Sequence, residues 1–349
     1  MADTTSMLTV FMPSYRGFSA SFRAIQSALD FCISCGAHLV VADNSDDVQK
    51  AQYWQGRFQC CTYLVTTGLD AKANFLAALF AVKTDFVLAM GDDDELLAGS
   101  LKMQTDLSCL PDDHIGVRPK TDVWTQMSGL IRSKTFSICG ATPSERMFEY
   151  NRLAEGDNGA FYSIFRRTPY LRLMVLFFRH HPTGGGYGDW ALVMALFAWG
   201  KMAYDPGLVY RYNFDQWHGA AATETRVNSL YRAAGLPEGS RKFQYLLMFL
   251  DIYIYCCPGF CPLGPHDAAN AQQMAAGPFF DAFLKKVGTE PENFSPDIHR
   301  LCKQASRQSF ALDRFRTGLA MAETIQSGLK DRYIRFFNIA MGEEAKTMA

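Results

Sequence analysis

What is scarce in this 349-residue chain narrows its function before any motif is read. Lys+Arg (34) and Asp+Glu (35) nearly cancel, leaving a formal charge of −1, so there is no basic footprint for a nucleic acid. The amino-terminal region carries neither G-x-G-x-x-G nor G-K-[ST], which excludes a dinucleotide-binding fingerprint and a P-loop. Residues 1–7 lack both the basic start and the apolar run of a signal peptide, so the expected location is the cytoplasm. The longest apolar run, residues 245–262, carries Asp251 in its middle and ends in Pro and Gly; it reads as a buried helix rather than a membrane span. Ten cysteines are spread through a chain too large to need a disulfide framework, and reduced thiols are expected. Cys32-Ile-Ser-Cys35 has no second pair near it in sequence, and Cys256, Cys257 and Cys261 with His266 lack a regularly spaced fourth ligand. Neither reads as a metal site.

What is present is a core and a rhythm. The hydrophobic share, 48%, is that of a globular protein. Residues 8–12 form a compact apolar strand, and from Ser19 the residues Phe22, Ile25, Leu29 and Cys32 recur at helical spacing, with Gly36 as a stop. Strand and helix then alternate: residues 37–42, a helix at 48–57, a strand at 61–65, an Ala-rich helix at 72–82, and the strand at 86–90. That order predicts an α/β fold with a mostly parallel sheet flanked by helices and joined by right-handed crossovers.

The strand at 86–90 ends in Gly91 and four acids, Asp92-Asp93-Asp94-Glu95. Packed carboxylates repel unless solvated or sharing a cation. In extended conformation Asp92 and Asp94 share a side, where two hard ligands would reach one Mg²⁺ or Mn²⁺ while Asp93 faces the other way. Acids at the carboxyl end of a parallel strand stand where open α/β sheets bind ligands.

On these residues the first two hundred positions resemble a family 2 glycosyltransferase of the GT-A fold, a Rossmann-like sheet that binds nucleotide-diphosphate sugars. Pro13-Ser-Tyr15-Arg16 resembles the family's first strand end, which borders the nucleotide base, and Asp43 resembles the acid after the second strand that holds base or ribose. Asp70-Ala-Lys72-Ala-Asn74 resembles the next nucleotide-facing segment, and Asp92-Asp93-Asp94 matches the D-x-D metal motif. Gly188-Asp189-Trp190 aligns with the Glu-Asp-Trp type of motif whose Asp is the catalytic base; here Gly188 stands in place of the supporting Glu. Tyr210-Arg211 and His218 match a Tyr-Arg pair and a later His that reaches the metal or diphosphate. The resemblance thus implies Asp189 as base, Asp92, Asp94 and His218 at the ion, and Pro13, Tyr15, Arg16, Asp43, Asp70, Lys72, Asn74, Asp93 and Arg211 about the nucleotide sugar.

The remaining stretches are read from their pattern. Residues 96–110 read as a helix closed by Pro111, 115–118 as an edge strand, 161–165 as a strand, and 201–210 as a short hairpin. Beyond residue 222 the pattern is helical, giving a GT-A domain at 1–222 and a helical carboxyl-terminal region at 223–349. Arg332-Tyr-Ile-Arg-Phe-Phe337 suits either a membrane surface or core aromatics with outward arginines.

The expected activity is metal-dependent, inverting transfer of a sugar to an acceptor hydroxyl, of a glycan, lipid-linked glycan or protein, in surface polysaccharide or glycoconjugate synthesis. Peripheral contact with the inner face of a membrane is left open. A sugar-nucleotide nucleotidyltransferase and a non-catalytic nucleotide-sugar-binding protein are the alternatives, since one fold hosts several functions.

Overall fold

The computed structural model describes residues 6–98, 102–156, 158–184, 188–217 and 219–342. In chain order the regular elements begin with β1 (Leu8–Ser14), α1 (Phe18–Cys35), β2 (His38–Asp43), α2 (Val48–Trp54), β3 (Cys61–Val65), α3 (Ala71–Ala81) and β4 (Phe86–Ala89). There follow β5 (Glu95–Ala98), β6 (His114–Thr125), β7 (Gly129–Lys134), α4 (Pro143–Ala154), β8 (Ile164–Arg166), α5 (Arg167–His180), α6 (Gly188–Trp199) and β9 (Lys201–Asn213). The rest is helical: α7 (Ala220–Ala233), α8 (Gln244–Tyr255), α9 (Pro265–Ala275), α10 (Ala282–Thr289), α11 (Pro296–Ala305), α12 (Ala311–Ile325) and α13 (Leu329–Ala340). Two compact units result. One comprises Met1–Cys139, Gly159–Phe178 and Lys201–His218; the other Gly140–Asn158, Arg179–Gly200 and Gly219–Ala349.

The first unit is built on a nine-stranded sheet ordered β3-β2-β1-β4-β8-β6-β9-β5, with β7 paired to β6. The block β3-β2-β1-β4 is parallel, as the strand and helix rhythm predicts, and β6 pairs with β9 in parallel too. Strand alternation divides the core between two faces. Val10 and Met12 join Ile25, Leu29 and Trp54 on the side of α1 and α2, while Phe11 packs edge-on against Phe75 of α3 and Tyr170 of α5. Pro13 breaks no ladder, because β4 pairs only with Leu8–Phe11 and has ended where the missing N–H would be needed.

The second unit is helical. The Arg146 guanidinium, buried, donates to the carbonyls of Phe197 (2.8 Å) and Ala198 (2.6 Å) at the end of α6, groups that helix geometry leaves without partners. Asp251, in the middle of the long apolar run, is fully buried in α8 and is met by His181 Nε2 (2.9 Å) and Tyr333 Oη–H (3.0 Å). A buried charge is tolerated where polar groups converge on it. Among the described residues no helix is long and apolar enough to cross a membrane.

Several local expectations are corrected. The segment expected as one helix at 96–110 opens as strand β5 and, among its described residues, carries only a short 3-10 turn at Leu107–Cys109, because β5 is captured by β9 through antiparallel pairing. The hairpin expected at 201–210 is a single strand, β9, and the edge strand at 115–118 is part of β6, which pairs with β7, β8 and β9. In the terminal basic and aromatic stretch, Tyr333 and Phe336 are buried and Arg332 donates to the Pro182 carbonyl, so core packing accounts for it. Burial, with the nearby Cys35, Cys60 and Cys61, holds the Cys32 thiol well above its usual pKa.

One close approach tests the sheet. A Cβ at Gly116 would stand 1.9 Å from the carbonyl oxygen of Ile164 across the β6–β8 pair. Gly116→Ala is therefore expected to destabilise by about 3 kcal/mol or more, the upper range for overpacking. Urea unfolding measures it; a loss below about 0.5 kcal/mol, the scale of a neutral surface change, would refute the close β6–β8 approach.

Candidate functional site

The carboxyl ends of β1, β2 and β4 converge because their ladders are in parallel register, with Ser14 opposite Asp43 and Phe11 opposite Ala89. Beyond β4 the chain leaves the extended state. A turn closes from Asp94 N–H to the Gly91 carbonyl (3.3 Å), and Gly91 is needed there, since a Cβ would lie 2.6 Å from Asp94 Oδ2. Asp92 and Asp94 are both buried, and in this turn they meet different partners. Asp92 is drawn to β1: its Oδ2 accepts from Ser14 Oγ–H (2.8 Å), Tyr15 N–H (2.9 Å) and Arg16 N–H (2.9 Å), and its Oδ1 from Arg16 Nε–H (3.0 Å). Asp94 is drawn to β9, accepting from Tyr210 Oη–H (2.5 Å) and Asn213 N–H (2.8 Å). Both are buried, and burial raises the Asp94 carboxyl to about 7 against those donors. The donors cluster on Asp92 Oδ2, while Asp92 Oδ1 and each oxygen of Asp94 accept one hydrogen bond apiece. Among the described residues no three His, Cys, Asp or Glu side chains are arranged to hold a metal; His218 lies outside the described residues.

Asp93 is the acid of the run that reaches outward, with its side chain 26% exposed. It takes Arg16 Nη2 at 2.5 Å. Burial alone would lower the Arg16 pKa, and Asp93 and Asp92 outweigh it to raise the value. The Arg16 guanidinium lies 5.3 Å from the centre of the Tyr15 ring, which is 61% exposed. An open aromatic face and a planar cation thus stand side by side on one loop.

Asp43 is placed differently from expectation. It is buried, and its oxygens accept from Lys50 Nζ (2.8 Å), Tyr63 Oη–H (2.5 Å) and Ser45 N–H (3.1 Å). It anchors the site from below rather than facing a base. Asn74 is also internal, donating to the Ala42 (3.0 Å) and Ser14 (3.3 Å) carbonyls and accepting from Thr66 Oγ1–H (2.6 Å). Asp70 caps α3 by accepting from Ala73 N–H, and Lys72 is exposed in the first turn. Arg211 lies opposite Glu95 in the β5–β9 pair and bonds it at 2.9 Å, with Arg23 on the same carboxylate.

In the second unit Asp189 lies inside the first turn of α6, where it accepts from Trp190 N–H (3.0 Å). The side chain reaches solvent, yet crowding by protein atoms raises its carboxyl pKa, with Asn158 and the Trp190 N–H acting to lower it. Asn158 is in turn held by Tyr150 Oη–H at 2.6 Å. An amide therefore stands by Asp189 where the resemblance leads one to look for a carboxylate at position 188.

Sequence reasoning gave no role to Lys50, Tyr63, Asn158 and Tyr150, which lie outside every motif, and took in Ser14 and Tyr210 only as members of the Pro13–Arg16 and Tyr210-Arg211 motifs; each is found by asking which groups hold a carboxylate. A hollow of about 350 Å³ in the first unit, lined by Leu8, Cys35, Lys102 and Asp106 among others, lies at the other end of β1 and holds none of these groups.

The sequence matches no protein-family model, and no curated protein is similar enough to count as a relative. Among solved structures, that of S. aureus TarS 1-349 is similar over 97% of this chain and 91% of that one, at 13% identity and a TM-score of 0.44. The same TarS fragment in complex with UDP gives 12% identity over 97% and 91% at a TM-score of 0.46, and in complex with UDP-GlcNAc 13% over 97% and 92% at 0.45.

Asp92→Asn puts an amide where the carboxylate serves four donors, so about 2 kcal/mol of stability should be lost, as for a hydrogen-bonded buried charge. The loss should be the same in Mn²⁺ and in EDTA. A loss of stability seen only when Mn²⁺ is present would restore Asp92 as a metal ligand.

Proposed function

We propose that the chain is a glycosyltransferase of the GT-A type, moving a sugar from a nucleoside-diphosphate sugar to an acceptor hydroxyl with inversion. One observation carries this: the loop at the carboxyl end of β1 is fastened to the ends of β2 and β4 through Asp43, Lys50, Ser14 and Asp92, and it holds out Tyr15 and Arg16 together. An aromatic face can stack on a base, and a guanidinium fork matches phosphate. Ligands of open α/β sheets bind beyond strand carboxyl ends, where this loop lies.

In the proposed reaction the acceptor oxygen attacks the anomeric carbon, and the bond from that carbon to the diphosphate oxygen breaks, its electron pair leaving with the nucleoside diphosphate. The acceptor proton passes to the Asp189 carboxylate, a role assigned on the Gly188-Asp189-Trp190 motif; a carboxyl whose pKa is raised by crowding is a stronger base than a free one. Tyr15 and Pro13 would border the base, Arg16 the diphosphate, and Lys72 its solvent side. Asp92 and Asp94 are held by Ser14, Arg16, Tyr210 and Asn213, and no step here depends on a divalent ion. Domain limits at 1–222 and 223–349, a cytoplasmic location and a glycan acceptor belong to the same proposal.

A thermal-shift panel of UDP, GDP and TDP sugars tests it, since a ligand at a hundred times its dissociation constant stabilises by about 2.7 kcal/mol. One base should raise the melting temperature and be released as diphosphate when acceptor is added. Pyrophosphate release from a nucleoside triphosphate would instead show a nucleotidyltransferase, and binding without turnover a non-catalytic protein.

Asp189→Asn should bind donor as the wild type does while kcat falls about 10²-fold or more, the scale of general-base catalysis. Single-turnover kinetics on the purified variant measures it. Wild-type turnover would remove the base assignment.

A further inference from the structure

We propose that Lys50 is a positioning residue for the donor site, setting from inside the protein the conformation of the Ser14–Arg16 loop and so the places of the Tyr15 ring and the Arg16 guanidinium. The proposal rests on reading that loop as nucleotide-binding. Lysine is almost never fully buried unless paired, and Lys50 is fully buried in α2. Its ammonium has three N–H donors and meets three acceptors: Ser14 Oγ (2.6 Å), the Arg16 carbonyl (2.7 Å) and Asp43 Oδ1 (2.8 Å).

The direction of the network follows. An ammonium can only donate, so Ser14 Oγ must accept from it, and the one hydroxyl hydrogen of Ser14 is left for Asp92 Oδ2. Lys50 thereby fixes the donor that begins the set of three on Asp92 Oδ2, and the other two are the N–H groups of Tyr15 and Arg16. The loop is held on both sides of its backbone, its Arg16 carbonyl by Lys50 and its N–H groups by Asp92. The origin of the lysine is fixed as well. Asp47 caps α2 at Lys50 N–H (3.0 Å) with one oxygen and takes Phe18 N–H (2.7 Å) at the start of α1 with the other.

Lys50→Met keeps the apolar stem and deletes the three donors, while Tyr63 and Ser45 still serve Asp43. Binding of UDP, GDP and TDP to the full chain is measured by calorimetry, with circular dichroism and melting on the same samples. The nucleotide that binds the wild type should bind folded Lys50→Met about tenfold more weakly, equivalent to one lost hydrogen-bond set of 1.4 kcal/mol, and the loss in transfer should fall on donor KM rather than kcat. Wild-type affinity in folded Lys50→Met would overturn the proposal. Should that variant not fold, Ser14→Ala decides: it leaves the Lys50–Asp43 pair in place and cuts the link to Asp92, so weaker nucleotide binding is expected and unchanged binding overturns the proposal. If none of the three diphosphates binds the wild type, the nucleotide reading itself falls, and the role of Lys50 with it.

Discussion

The hydrogen bond from Ser14 to Asp92 is the contact on which the geometry of the site depends. It joins the ends of two neighbouring parallel strands through side chains at the point where their backbone ladder has run out. A carboxylate removed from water is costly unless donors surround it. Asp92 meets that condition only because the β1 loop turns two successive N–H groups toward it, a small backbone concavity of the kind that cradles anions. The same requirement, repeated at Asp43 and Asp94, draws Lys50, Tyr63, Tyr210 and Asn213 inward. Three acids thus organise three strand ends, and the groups left facing outward are those of the loop itself.

That accounts for what was legible in the sequence. The parallel block was legible because buried strands between amphipathic helices leave a periodic trace, and β1 to β4 appear where the pattern puts them. The acid run was legible as the end of a strand because charge after an apolar strand is unusual. Its geometry was not, since an extended strand and a turn give Asp92, Asp93 and Asp94 opposite assignments of inward and outward, and only the turn at Gly91 decides. Strand β5 was misread as helix for a related reason: its pairing partner, β9, lies more than a hundred residues away, and a long-range ladder overrides local propensity. Lys50 was invisible because nothing in a short helical segment marks one lysine as internal.

Strand ends present the Tyr15–Arg16 loop in the first unit, and a helix start presents Asp189 in the second. The departure at Gly188, where the resembling motif has Glu, reads as a loss in sequence alone. In the structure the amide of Asn158, braced by Tyr150, stands at Asp189. An amide differs from a carboxylate in consequence: it adds no negative charge, so it does not raise the pKa of its neighbour by repulsion. Any elevation at Asp189 then comes from crowding, opposed by hydrogen bonding.

A row of acids is commonly read as a place for a cation, and here the cations are already in the chain. Arg16 serves Asp92 and Asp93, Lys50 serves Asp43, and Arg23 and Arg211 share Glu95. Each arginine fork or ammonium is held by residues from a different strand or helix, so charge pairing and tertiary register are one arrangement. The buried pair among them, Lys50–Asp43, contributes little net stability against an apolar equivalent, yet breaking it leaves a charge that the interior cannot solvate. Its effect is therefore on geometry. A sheet whose strand ends are fixed by ion pairs rather than by packing alone holds the Tyr15 ring and the Arg16 guanidinium at a set separation before any ligand arrives, and a preformed loop spends less of its binding energy on ordering.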